Sequence, residues 1–294
     1  MPFYHKLGNI PHKRHTQFKK EDGALYREEV MGLDGFSGIQ SILYHHFLPP
    51  RVLKTEDFGS TKPEYAEFGA IRHRALKTGE LPTGGDPVSA KVPMMGNDDV
   101  VLSLSVPDQS MDYYYRNAQA YECYFVHEGK GTLNSQFGSL DFVSGDYIVI
   151  PFGTTWKMDL DGPARFFVIE TPSQIEAPKR YRNNYGQMLE HAPYCERDIR
   201  LPENLETNTS RGEFEVRVKV RDNLSRHILD YHPLDVVGWD GFLYPWIFSI
   251  HDFEPITGRL HMPPPIHQTF AARNFVVCSF VPRLFDYHPE GIPA

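Results

Sequence analysis

Two stretches of this chain constrain its fold more than any others: "ECYFVHEGKGTL" at residues 122–133 and "SGDYIVIPFGTTW" at residues 144–156. The first reads as strand, glycine turn, strand. The second reads as a turn feeding an apolar strand that stops at Pro-Phe-Gly. Each strand is short, and Gly, Pro or Asp punctuates each end, so the chain must fold back every few residues. Further strands are expected over 99–106, 121–127, 131–136, 147–151, 155–160 and 165–170, with turns at 128–131, 137–139 and 144–146. Short strands at this spacing build a sandwich or barrel.

Composition agrees with that class. Aromatic residues make up 13% of the 294 residues, and 24 prolines and 23 glycines favour strands and turns over long helices. The net charge of −8 argues against a general nucleic-acid or membrane-surface role. The three cysteines, Cys123, Cys195 and Cys278, are far apart and form no CxxC pair, which points to a reducing compartment. The N-terminus has no apolar signal-peptide core, and no apolar run approaches the roughly 20 residues a membrane helix needs. A cytoplasmic location is expected.

The basic stretch 1–22 reads as a solvated or interface-packed arm. His45 and His46 are adjacent, so on a strand they face opposite ways, and both are read as structural. Residues 75–97 read as loop. Residues 171–212 read as a connector with one short helix near 185–190. Strands then resume: "EFEVRVKVR" at 213–221 alternates, with Phe214, Val216, Val218 and Val220 on one face. β-rich blocks on either side of the connector suggest a duplicated barrel.

The two opening stretches resemble the two halves of the cupin signature, a small jelly-roll barrel. Its metal-binding form has H-x-H-x(4)-E followed by G-D-x(4)-P-x-G-x-x-H. Glu122 takes the acid position, and Gly145, Asp146, Pro151 and Gly153 match the second half. The three histidine positions fall on Tyr115, Asn117 and Trp156, which do not make an iron site. His127 reads as a turn histidine. The first barrel is therefore expected to be metal-free and structural, and no metal ligand is assigned within residues 1–294. The later block carries His227, His232, His251, His261, His267 and His288. Of these, His261 and His267 flank a stiff Met-Pro-Pro-Pro run that could hold a histidine at the rim of a site.

Several blocks together resemble the homogentisate 1,2-dioxygenase family over essentially the whole chain. They are "HKRHTQF" (12–18), "LYREEVMGLDGFSG" (25–38), "SILYHHFLP" (41–49), "VVGWDGFLYP" (236–245), "LHMPPPIHQTF" (260–270) and "NFVVCSFVPR" (274–283). The resemblance implies an all-β bicupin, with residues 1–212 as arm, metal-free first barrel and connector, and 213–294 as the start of an incomplete second barrel. It implies ring cleavage of homogentisate with O2 and Fe(II) to give maleylacetoacetate, in tyrosine and phenylalanine breakdown. It also implies a trimer or hexamer. The family's iron ligands follow a segment beyond Ala294, so no ligand carries over and this chain alone is expected to be inactive. One family histidine, which assists deprotonation of a substrate hydroxyl, aligns with His261, with His267 as runner-up. An imidazole suits that task because it titrates near neutrality. Two rival readings remain: a metal-free cupin for binding or assembly, and a bicupin dioxygenase for another dihydroxy-aromatic acid such as gentisate.

Overall fold

Turn-bounded alternation gives twenty strands and four 3₁₀ turns among the described residues, and no α-helix. The structure is a computed structural model that describes residues 3–13, 16–66, 70, 72–255 and 267–282. In chain order the strands begin with β1 (His5–Gly8), β2 (Arg27–Asp34), β3 (Ser37–His45), β4 (Lys54–Ser60), β5 (Lys91–Gly96) and β6 (Val101–Ser105). The central run is β7 (Tyr114–Asn117), β8 (Tyr121–Glu128), β9 (Lys130–Ser135), β10 (Gly138–Val143), β11 (Asp146–Ile150), β12 (Thr155–Leu160) and β13 (Arg165–Thr171). The remainder are β14 (Ile199–Arg200), β15 (Arg211–Val220), β16 (Asn223–Tyr231), β17 (Val236–Gly241), β18 (Trp246–Ser249), β19 (Gln268–Ala272) and β20 (Phe275–Cys278).

Two seven-stranded sheets carry the fold, in the orders β10-β9-β12-β7-β15-β16-β4 and β14-β18-β11-β8-β13-β6-β5. From β6 to β13 the chain crosses between the sheets at every step except the β9–β10 hairpin, which is jelly-roll winding. Strand alternation sorts the side chains. Even-numbered residues of β8, β11 and β13 (Tyr124, Val126, Ile148, Ile150, Phe166, Val168) meet Tyr115, Trp156 and Met158 between the sheets. Odd-numbered ones (Tyr121, Cys123, Tyr147, Val149, Ile169) face a second core with Trp239, Tyr244, Trp246 and Phe270. This sheet is buried on both faces, so β11 reads "DYIVI" with every residue buried.

Three readings of the sequence change. Residues 91–96, taken as loop, form the edge strand β5. Pro93 is tolerated there because an edge strand has one side with no ladder partner for its missing N–H. Residues 185–190 contain no helix. Asn183 Oδ1 accepts the backbone N–H of Tyr185 and Gln187 instead, a side-chain turn that competes with helix. The pairing also crosses the boundary expected at 212–213. β15 lies parallel to β7, and β18 pairs with β11, so β15 to β18 share sheets with the earlier strands or, for β17, with β1 and β3. Alternation marks which residues share a face, but it does not say which sheet a strand joins.

The N-terminal strands form a four-stranded sheet, β1-β17-β3-β2. His45 is buried at its end. Its Nδ1 lies 2.7 Å from Asp235 Oδ1 and its Nε2 3.2 Å from Glu29 Oε2. Burial alone would lower its pKa, but hydrogen bonds to the two carboxylates, and their charges, more than offset this and raise it from 6.5 to about 9. A raised histidine pKa stabilises fully below the unfolded value, and that stability is lost as pH rises through the folded value. Urea stability is therefore expected to fall between pH 6.5 and about 9, by at most about 3 kcal/mol from this group. A His45→Gln variant should lack that slope; an unchanged slope would assign it elsewhere.

Gly145 closes the β10–β11 turn at φ +94°, and a Cβ there would meet His251 Nε2 at 2.6 Å. Its N–H donates to Val126 O, and its carbonyl accepts from Ile250 N. Gly145→Ala should cost about 1–3 kcal/mol in urea unfolding. Among the described residues no helix is long and apolar enough to cross a membrane.

Candidate functional site

Two of the residues matched to cupin ligand positions, Tyr115 and Trp156, lie in the core between the sheets. Tyr115 and Trp156 are opposite one another on β7 and β12, with ring centroids 5.3 Å apart and edge to face. Asn117, two residues on, accepts the N–H of Ala120 and Gln119 through Oδ1 and so shapes the β7–β8 turn. Glu122 comes from the other sheet, opposite Glu170 of β13. Two carboxylates directly opposite on one face repel each other.

Lysines resolve that repulsion. Lys91 Nζ donates to Glu122 Oε1 at 2.7 Å, and Lys219 Nζ donates to Glu170 Oε1. Lys91 Nζ also stands 5.2 Å from the Tyr115 ring centroid and 5.8 Å from that of Tyr124. Burial, the largest influence, raises Glu122, with Glu170 adding to it and Lys91 opposing it. Burial alone would lower Lys91, yet the charge of Glu122 holds it well above the ordinary lysine range. For Glu170, burial pushes upward but the charges of Lys91 and Lys219 bring it below its ordinary value. In this barrel the interior carboxylate thus faces an ammonium group. Among the described residues no three His, Cys, Asp or Glu side chains are grouped so as to hold a metal ion.

β15 supplies the rest of this end of the barrel. Its register sets Arg217 beside Tyr115 and Lys219 beside Asn117. The apolar face picked out in the sequence points outward: Val216 packs with Tyr114, Leu229 and Tyr231, and Phe47 and Val218 lie against them. The alternate face, with Arg217 and Lys219, lines a cavity of about 450 Å³ together with Lys91, Tyr113, Tyr115 and Glu170. The sequence reading missed Lys91, Glu170, Arg217 and Lys219. The charged residues alternating with valines in β15 were the available signal; Lys91 had none.

His261 lies outside the described residues, as does His288. His267 is buried just ahead of β19. Its Nδ1 is 3.1 Å from the Ser279 carbonyl oxygen, so Nδ1–H donates there and Nε2 carries the lone pair. Nε2 is buried and has no partner among the described residues. The Phe280 ring lies 4.8 Å from the imidazole, centroid to centroid. Ser279 Oγ is shared with Thr269 Oγ1 and with Tyr147 Oη of β11, which ties the β19–β20 hairpin to the barrel. Two other histidines are engaged: His227 Nε2 with Ser225 Oγ two residues away, and His232 Nε2 with Tyr114 Oη of β7. His127 is exposed beside Glu128.

Comparison with known proteins follows from this geometry. The family model described as homogentisate 1,2-dioxygenase N-terminal matches residues 90–250. A provisionally named dioxygenase of Saccharolobus solfataricus is 45% identical over all 294 residues, which span 76% of its length. The homogentisate 1,2-dioxygenase of Bradyrhizobium diazoefficiens is 27% identical over 53% of this chain and 34% of its own. That of Rhodopseudomonas palustris is 28% identical over 58% and 37%. The chain thus matches about a third of the length of these two enzymes. Among solved structures, a cupin-2 domain protein of Shewanella frigidimarina gives a TM-score of 0.26 at 18% identity, covering 28% of this chain and 78% of that one. A cupin 2 conserved barrel protein of Leptotrichia buccalis gives 0.27 at 9%, covering 54% and 88%. Likeness that loose assigns nothing. The family match and the full-length relative do: this chain belongs to the homogentisate 1,2-dioxygenase N-terminal family.

Proposed function

We propose that this chain serves a ring-cleaving dioxygenase that converts homogentisate and O2 to maleylacetoacetate in tyrosine and phenylalanine breakdown, with iron(II) as its metal. The observation that carries the reading is the family match over residues 90–250, supported by the full-length relative. The described donors do not fit iron(II). Lysines face the barrel's interior carboxylates, and among the described residues His267 belongs to no group of three His, Cys, Asp or Glu side chains that could hold a metal.

What the chain's own residues offer is a proton acceptor. In this reading Nε2 of His267 takes or holds the proton of a substrate hydroxyl, and the Ser279 carbonyl fixes the tautomer that leaves Nε2 free. His261 is the other candidate for that role. In this reading the chain carries the start of the bicupin's second barrel, and the protein works as a homo-oligomer, a trimer or hexamer, in the cytoplasm.

A second reading is favoured by one observation. A barrel whose interior carboxylate is engaged by Lys91 suits a metal-free module for binding or assembly. Oxygen uptake separates the readings. Iron(II)-loaded protein purified from the cells that make it should consume O2 with homogentisate and yield the ring-opened product. Turnover of gentisate alone would transfer the reading to another dihydroxy-aromatic acid; no uptake with either would favour the binding module.

A further inference from the structure

We propose that the outer face of the jelly roll, beside residues 204–208, binds a neutral sugar ring through its adjacent hydroxyls. The site uses neither His261, His267 nor the residues at the barrel mouth, and it does not rest on the ring-cleavage reading.

Two polar rows line a cavity of about 350 Å³ on that face. One row is extended chain tied down at both ends: Asn204 O accepts the N–H of Ser139, and Asn208 N donates to Leu234 O, each at 2.9 Å. Between the ties the side chains alternate. Leu205 packs on the core and Thr207 Oγ1 donates to Val236 O, whereas Asn204, Glu206 and Asn208 line the cavity. The other row belongs to β9 and β12. Leu133, Trp156 and Met158 point into the core between the sheets, so Thr132, Asn134, Lys157 and Asp159 stand on the opposite side and line the same cavity.

The hydrogen-bonding groups of this cavity are fixed and of both kinds. Asp159 Oδ2 accepts Asn134 Nδ2 at 2.7 Å, and its Oδ1 accepts Lys157 Nζ at 3.1 Å. Asn208 Oδ1 accepts the N–H of Ser210, which leaves its NH2 to donate. Glu206 and the Asn204 amide make no side-chain hydrogen bond or ion pair with any described residue. Tyr114 stands at the end of the cavity. The N–H of Leu234 donates to His232 Nδ1 at 3.2 Å, so His232 Nε2 carries the proton and donates to Tyr114 Oη at 3.0 Å. The Tyr114 proton is left to donate into the cavity. Burial, with the charge of Asp159 behind it, pushes that hydroxyl up to about 12, so it stays protonated.

This arrangement selects the ligand class. Lys157 is matched by Asp159, and burial lowers His232 and keeps it neutral, so Glu206 carries the charge that remains among the described lining residues. A leftover carboxylate disfavours an anion. An ammonium is a donor only and leaves Tyr114 and Asn208 without an acceptor. A hydroxyl both gives and takes a hydrogen bond, and a ring bearing adjacent hydroxyls answers donors and acceptors together. The volume admits one pyranose.

Saturation-transfer difference NMR on the purified full chain tests this, with the methyl glycosides of glucose, galactose and mannose as probes. At least one is expected to saturate, with half-saturation at about 1–20 mM. Cyclohexanol, a ring with one hydroxyl, and glucuronate, which adds a charge, should each bind at least about fivefold more weakly than the best glycoside. Glu206→Ala should weaken binding about tenfold, and Tyr114→Phe about fivefold; near-ultraviolet circular dichroism checks the fold of both. Glu206 is exposed, so its variant decides the outcome if the phenylalanine variant misfolds. No saturation by any of the three glycosides below about 100 mM overturns the proposal. So does cyclohexanol or glucuronate binding as tightly as the best glycoside, or undiminished binding by the folded Glu206 variant.

Discussion

Replacing Lys91 with Met is expected to destabilise the protein by about 3–5 kcal/mol in urea unfolding, because it leaves a buried carboxylate unpaired. Glu122 is 1% exposed, its Oε1 has Lys91 as its partner at 2.7 Å, and its Oε2 has none among the described residues. It faces Glu170 across the β8–β13 ladder, so removing the ammonium exposes each carboxylate to the other. The methionine fills much of the lysine's volume, which makes the loss electrostatic rather than steric. A second change isolates the cause. Lys91→Met with Glu122→Gln removes both charges and should recover most of the stability, since a buried pair replaced as a unit costs far less than a pair broken. The pH dependence has a definite sign. Without Lys91, burial and Glu170 raise Glu122 further, so the native state binds a proton that the unfolded state releases above the ordinary glutamate pKa. Stability of the single variant should therefore fall as pH rises from acid to neutral, and the double variant should lack that fall. A loss below about 1 kcal/mol in the single variant would mean that water or a neighbour supplies the missing partner.

Replacing His267 with Asn is expected to reduce turnover of homogentisate by about 10²–10⁴-fold while leaving the fold intact. Asparagine suits the question because its amide NH2 can reproduce the Nδ1–H donation to the Ser279 carbonyl and offers nothing where Nε2 stands. The hairpin anchor made by Ser279, Thr269 and Tyr147 is also untouched. Stability should change by no more than about 1 kcal/mol. His267→Gln is the complementary change: it puts an amide oxygen near the Nε2 position and forfeits the Ser279 bond. Wild-type turnover by a folded Asn variant would pass the role to His261, and the matching His261→Asn variant reads that outcome directly.

The sequence was enough to place most of the jelly roll. Strand β12 falls at the expected residues 155–160, and β8, β11 and β13 fall within one residue of theirs. The reason is local: Gly129, Gly145 and Gly153 take positive φ angles that end strands wherever they stand. Edge strands and partner choice were less legible. β5 carries a proline and little alternation, so Lys91 looked like loop, yet it reaches the carboxylate at the centre of the barrel. β15 showed its two faces plainly, but only its parallel pairing with β7 sends Val216 to an outer cluster and Arg217 and Lys219 to the barrel mouth.

The sequence by itself determined that the described chain is all-β and where most of its turns fall, because turn chemistry and side-chain alternation are properties of neighbouring residues. Tertiary structure alone decided that Lys91 neutralises Glu122 and that the Arg217 guanidinium lies against the rings of Phe58 and Tyr113. Each of those depends on residues brought together from strands or loops that are not adjacent in the chain, and pairing between such segments is fixed by packing and charge across the sheets, which no local pattern encodes.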